Sequence, residues 1–122
     1  MKTILIIESD QMIREFTVDF LKNKGYTVLS SSNIKEGSEI AFERIPSIVV
    51  CNLSSVDSKE FELCKKLKTV DVTAKIPIIF ITSLLKEVQF GIQIGADDFL
   101  EKPFSLSQLV EKINKNLLKS KN

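Results

Sequence analysis

Short apolar runs alternate along this chain with longer stretches in which apolar residues recur every three or four positions, and that alternation constrains the fold most. Ile4-Leu5-Ile6-Ile7 and Ile48-Val49-Val50-Cys51 are unbroken and rich in β-branched residues, the pattern of strands buried on both faces. Tyr26 to Leu29, Pro77 to Ile81 and the brief Phe99-Leu100 supply three more strands. Asp10 reads as an N-cap, after which Met12, Ile13, Phe16, Phe20 and Leu21 recur at helical spacing up to Gly25. Asn33 with Glu36 is a capping-box pattern opening a second helix through about Arg44. Phe61, Leu63, Cys64 and Leu67 mark a third helix, and Val88 to Ile94, stopped by Gly95, a fourth. Ser105 with Gln108 caps a last helix whose apolar face is Leu106, Leu109, Val110, Ile113 and Leu117. Ser54 to Ser58 and Val70 to Lys75 read as polar connections.

Five strand–helix units predict an α/β protein, (βα)5, with a doubly wound, five-stranded parallel sheet covered on both faces. That arrangement is flavodoxin-like, and its functional crevice lies at the carboxyl ends of the strands. With 122 residues the expectation is a single domain over 1–122, with an ordered core to 118 and a tail over 119–122.

Composition narrows the chemistry. Lys plus Arg is 17 and Asp plus Glu 16, a balance that argues against a nucleic-acid footprint. Lys112, Lys115, Lys119 and Lys121 form a basic edge, which the helix macrodipole explains without a nucleic acid. There is no histidine, which removes histidine acid–base catalysis, histidine metal sites and a phosphohistidine within this chain. Cys51 and Cys64 lie in apolar segments and read as buried free thiols. The first apolar run is too short for a signal peptide or a membrane span, so a cytoplasmic protein with no membrane contact is expected.

The residues that follow the strands converge in space. They are Glu8, Ser9 and Asp10; Asn52, Leu53 and Ser54; Thr82 and Ser83; Glu101, Lys102 and Pro103. One lysine, one hydroxyl and a small polar-acidic cluster have the makings of an anion or phosphoryl site, or of ordinary solvated loop ends. A dinucleotide enzyme would want a glycine-rich turn after the first strand, and Glu8-Ser9-Asp10-Gln11 has no glycine.

From Lys2 to about Leu118 the chain resembles the receiver (CheY-like) domain of two-component response regulators. The residues that carry the resemblance are Ile4 to Asp10, Ile48 to Leu53, Phe61 to Cys64, Pro77 to Thr82 and, most specifically, Gly95-Ala96-Asp97-Asp98-Phe99-Leu100-Glu101-Lys102-Pro103-Phe104. The resemblance implies that Asn52 stands at the phospho-acceptor position and Glu8 and Ser9 at the acidic pair that serves magnesium. It puts Ser54 at a backbone metal ligand, Thr82 at the hydroxyl that contacts the phosphoryl group, Lys102 at the phosphate-pairing lysine and Phe99 at the switch aromatic. It also implies a cis Lys102–Pro103 bond, an isomer that only X-Pro bonds take at low cost.

Two departures fall on the chemistry itself. Phosphoryl transfer needs a carboxylate nucleophile, and the Asn52 amide is neutral and weakly nucleophilic. Magnesium prefers anionic oxygens, and with Ser9 and Asn52 in place of acids only Glu8 points inward; Asp10 is expected to cap the first helix. Magnesium binding is therefore expected to be weak or absent. Lys102 is expected to pair with Glu8 and to donate to the Asn52 oxygen, leaving a neutral, self-satisfied pocket.

The reading is a degenerate phospho-acceptor pocket of Glu8, Ser9, Asn52, Thr82 and Lys102, with vestigial metal positions at Glu8, Ser9, Asn52 and Ser54 and switch and turn residues Phe99 and Pro103. The chain is then a pseudo-receiver, without enzymatic activity, that binds a signalling kinase, an output domain or a regulatory protein. Its docking face is the fourth helix, fifth strand and fifth helix, which carry Phe90 and Phe99. The alternatives are a working receiver that accepts phosphate on Asp10 or Asp57, a vestigial anion site at Lys102 and Thr82, and the N-terminal receiver of a longer regulator.

Overall fold

The computed structural model describes residues 2–53, 59–83 and 95–120. The strands are β1 (Thr3–Ile7), β2 (Thr27–Ser31), β3 (Ile48–Asn52), β4 (Ile78–Thr82) and β5 (Asp98–Glu101). The helices among the described residues are α1 (Gln11–Asn23), α2 (Ile34–Arg44), α3 (Lys59–Thr69) and the C-terminal helix Leu106–Ser120. The helix expected over Val88 to Ile94, and with it Phe90, lies outside the described residues.

The strands form one parallel sheet in the order β2-β1-β3-β4-β5. The order reverses between β1 and β3, which places the crevice at the carboxyl ends of these two strands. Alternation along each strand feeds two cores. Leu5, Ile7, Val49, Cys51, Ile78 and Phe80 pack with α3 on one face. Ile4, Ile6, Val50, Ile79 and Ile81 pack with Leu21 of α1 and with Leu109, Ile113 and Leu117 on the other. Each of these side chains contributes about 2 kcal/mol by leaving water.

The helix starts follow the expected chemistry. Asp10 Oδ1 accepts from Ile13 N (2.9 Å), and Asn33 Oδ1 accepts from Glu36 N (2.8 Å). The Asn33 box is half formed, because Asn33 N donates to Ser31 Oγ (3.2 Å) rather than to Glu36. The Ser105–Gln108 box is reciprocal, at 2.8 and 3.2 Å. The C-terminal helix continues through Lys119 and Ser120, where a tail was expected.

The apolar stripe of α1 departs from expectation. Leu21 is fully buried, whereas Met12 is 80% and Phe16 64% exposed. At 3.6 residues per turn Met12 lies about 180° around the helix from Leu21, and Phe16 about 140°. The stripe is wider than the contact, and the core takes only its edge, Leu21 with the partly buried Phe20. Both cysteines are free and buried as expected, and burial pushes the Cys64 thiol up to about 11.

Candidate functional site

The carboxyl ends of the strands deliver the polar residues. Glu8 follows β1 and is 7% exposed; its N–H donates to Ser31 O (3.0 Å), which ties it to β2. Its Oε2 accepts from Asp10 N (3.0 Å). Arg14 donates to Glu8 O (2.8 Å) and Ser9 O (3.4 Å), so the guanidinium of α1 holds the turn from inside. This role of Arg14 was not read from the sequence, because an arginine within a helix carries no local signal of a bond to the preceding turn. Ser9 is exposed, and the Asp10 carboxylate is committed to its helix cap.

Asn52 ends β3 opposite Ile81 of β4. Its Oδ1 is shut away from solvent and has no hydrogen-bond partner among the described residues. Thr82 is buried at the end of β4, and its carbonyl accepts from Lys102 N (2.9 Å), which fixes the lysine's backbone beside it. The Lys102–Pro103 bond is cis. Phe99 is half-buried, with its ring 5.9 Å from Phe80. Ser54 and Asp57 lie outside the described residues.

Glu8, Asn52 and Lys102 line one cavity; Ser9 and Asn52 line a second, more open hollow toward α2 and α3; Thr82 and Phe99 line neither. Asn52 thus stands between the two. The self-satisfied pocket expected from sequence does not form. The ion pairs among the described residues are Lys68–Asp97 and Lys112–Asp98, so Lys102 does not pair with Glu8. It does not donate to Asn52 either. The physical reason is that Glu8 finds a charge-assisted bond to a fixed backbone N–H close by, whereas the exposed Lys102 ammonium keeps its water.

The Asp97-Asp98 pair, quoted for its resemblance alone, proves structural. Asp97 Oδ2 accepts from Ile78 N and Lys68 Nζ, both at 2.8 Å. Asp98 accepts from Lys112 Nζ (3.0 Å), Asn116 Nδ2 (2.9 Å) and Phe99 N (2.8 Å). Burial works to raise the Asp98 pKa, but these donors outweigh it and hold the carboxyl below its ordinary value.

An open parallel α/β sheet with a polar crevice at its topological switch, a lysine beside a buried threonine and a cis Lys-Pro turn defines the class. The chain belongs to the response regulator receiver domain family, which matches residues 4–114, and so to two-component signalling. It is 33% identical over 92% of its length to the phosphate regulon transcriptional regulatory protein PhoB of Pseudomonas aeruginosa, covering 50% of that protein. It is 31% identical over 98% of its length to histidine kinase P4 of Formosa agariphila, covering 9% of it. The chain thus spans half or less of these two curated relatives. Among solved structures it resembles a two-component response regulator from Clostridium difficile (TM-score 0.87, 26% identity, all of both chains). A CheY-like receiver domain protein from Methanospirillum hungatei is similar as well (TM-score 0.89, 25% identity, 99% of this chain and 97% of that one).

Proposed function

We propose that this receiver domain acts as a pseudo-receiver, a protein-interaction module that works without phosphorylation or catalysis. The observation that carries the reading is the residue at the end of β3, an amide whose buried oxygen has no partner among the described residues. At the phospho-acceptor position an amide oxygen cannot form the acylphosphate that a carboxylate would.

The donors present do not fit magnesium. Among the described residues Glu8 is the sole carboxylate of the degenerate pocket, and it already accepts a backbone bond. Asp10 is turned to its helix cap, and Ser9 and Asn52 are neutral. A hard cation that gives up water reluctantly wants more negative charge than this. No step is therefore derived through a metal.

Function in this reading comes from shape. The partner is a signalling kinase, an output domain or a regulatory protein, and the place is the cytoplasm. The docking face includes β5 and the C-terminal helix. Phe99 lies on β5, half-buried, and offers an apolar edge in place of a switching hydroxyl. No helix among the described residues is long and apolar enough to cross a membrane.

The test is intact mass after incubation with acetyl phosphate and magnesium. The native chain is expected to gain nothing, and the Asn52→Asp, Ser9→Asp double variant to gain one phosphoryl group. A phosphoryl adduct on the native chain would overturn the reading.

A further inference from the structure

Between α1, the ends of β1, β3 and β4 and the turn before the C-terminal helix lies a cavity of about 330 Å³. Small-molecule pockets begin at about 300 Å³, so this one accommodates a compact ligand. Ile6, Val50 and Ile81 of the sheet, Ile13 of α1 and Phe104 make its apolar walls. Thr17, whose hydroxyl already donates to Ile13 O (2.8 Å), also lines it, and so do three further polar side chains, Glu8, Asn52 and Lys102.

Each of the three has capacity left. The Asn52 oxygen has no donor among the described residues and almost no exposed surface, so it meets a ligand once its amide turns toward the cavity. Glu8 accepts one hydrogen bond, from Asp10 N, among the described residues, and a carboxylate accepts several. Lys102 has no ion-pair partner among the described residues. A buried acceptor without a donor is costly, and a ligand N–H that supplies the donor recovers that cost. The charges of Glu8 and Lys102 cancel, so the cavity favours a ligand that is neutral overall. Two acceptors beside one cationic donor, with hydrocarbon around them, call for an N–H group next to a carboxylate on an apolar body.

We propose that this cavity binds a small apolar zwitterion of the α-amino acid class. The ammonium faces Glu8 and Asn52, the carboxylate faces Lys102, and the side chain lies among Ile13, Val50, Ile81 and Phe104. The proposal rests on the reading of residue 52 as a position that takes no phosphate, and it gives that position a different use. Occupancy joins α1 to the strand ends, so a ligand rather than a phosphoryl group sets the shape of the crevice.

The experiment is a titration of the isotope-labelled chain with L-leucine and with L-phenylalanine, followed by backbone amide NMR. 4-Methylpentanoate, which lacks the ammonium, and isoamylamine, which lacks the carboxylate, serve as truncated probes. At least one amino acid is expected to give saturable shifts at Val50, Ile81 and Phe104 and to bind roughly tenfold tighter than either truncated probe. Asn52→Leu is expected to weaken binding by a similar factor. Ile13→Trp, at a half-exposed position, is expected to block the cavity. The dispersed spectrum of each variant shows that it is folded. Absence of saturable shifts with both amino acids at millimolar concentration would overturn the proposal, as would equal affinity in native chain and variants. A phosphoryl adduct in the separate mass measurement is instead the failure of the pseudo-receiver reading, and the titration decides the cavity either way.

Discussion

Asp98 and Asn52 stand at opposite ends of the sheet, one at the entry to β5 and the other at the exit from β3. Both are short polar side chains on strands, yet their surroundings differ. Asp98 takes three donors, from Lys112, Asn116 and its neighbour's N–H, and Asn116 is itself 2% exposed. Asn52 takes none at its oxygen among the described residues. A polar group surrounded by partners is a fastening; a buried one without a partner lowers stability. In the proposed reading the bottom of the sheet serves stability and the top an encounter.

Removing the fastening should have the largest effect. Asp98→Ala removes the ion-pair partner of Lys112 and one of the two acceptors of the buried Asn116 amide, the other being Lys112 O (2.8 Å), and urea unfolding should show a loss of about 2 kcal/mol. An unchanged midpoint would break the contrast between the two ends.

The same carboxylate gives a pH signature. Its folded pKa lies below the ordinary 3.8, so its stabilisation is present above that value and is lost as pH falls through the lower folded pKa. The native chain should therefore lose more stability across that acid window than Asp98→Asn, measured by urea midpoints at stepped pH. Equal acid slopes would mean that the three donors do not favour the charged form.

Asp10 sharpens the comparison from within the crevice. Its carboxylate is engaged in capping α1, so Asp10→Ala should cost about 1 kcal/mol in thermal or urea unfolding. The variant should leave the mass result with acetyl phosphate as it is for the native chain. The smallest effect is expected at the orphan itself. Asn52→Leu removes an unsatisfied acceptor and should leave stability unchanged or raise it by up to about 1 kcal/mol. A marked loss on that substitution would show that the amide oxygen is bonded in solution after all.

Local chemistry was legible residue by residue. Asp10, Asn33 and Ser105 cap the helices they were assigned, since each needs only its own side chain and an N–H three residues on. Ile4 to Ile7 and Ile48 to Cys51 form buried strands because no face of an unbroken apolar run can stay wet. The polar residues at the strand ends were legible as a set, but not in their pairings. Lys102 has a long, strongly hydrated side chain, and whether it folds back onto Glu8 depends on what else Glu8 can reach. The exposure of Met12 and Phe16 escaped notice for a related reason. A helical period shows that a stripe exists but not how much of it the neighbouring elements cover.

The order of amino acids by itself determined the alternation of strands and helices, the parallel sheet with its crevice, and the chemical identity of residue 52, an uncharged amide. Those features follow from periodicity, caps and functional groups, which act within a few residues. Only the tertiary structure decided that the Asn52 oxygen is buried without a donor, that Glu8 turns to the backbone of its own loop, and that a cavity with hydrocarbon walls opens beside them. Those are matters of distance between elements far apart in the chain, and a hydrogen bond requires a geometry that composition and spacing do not carry.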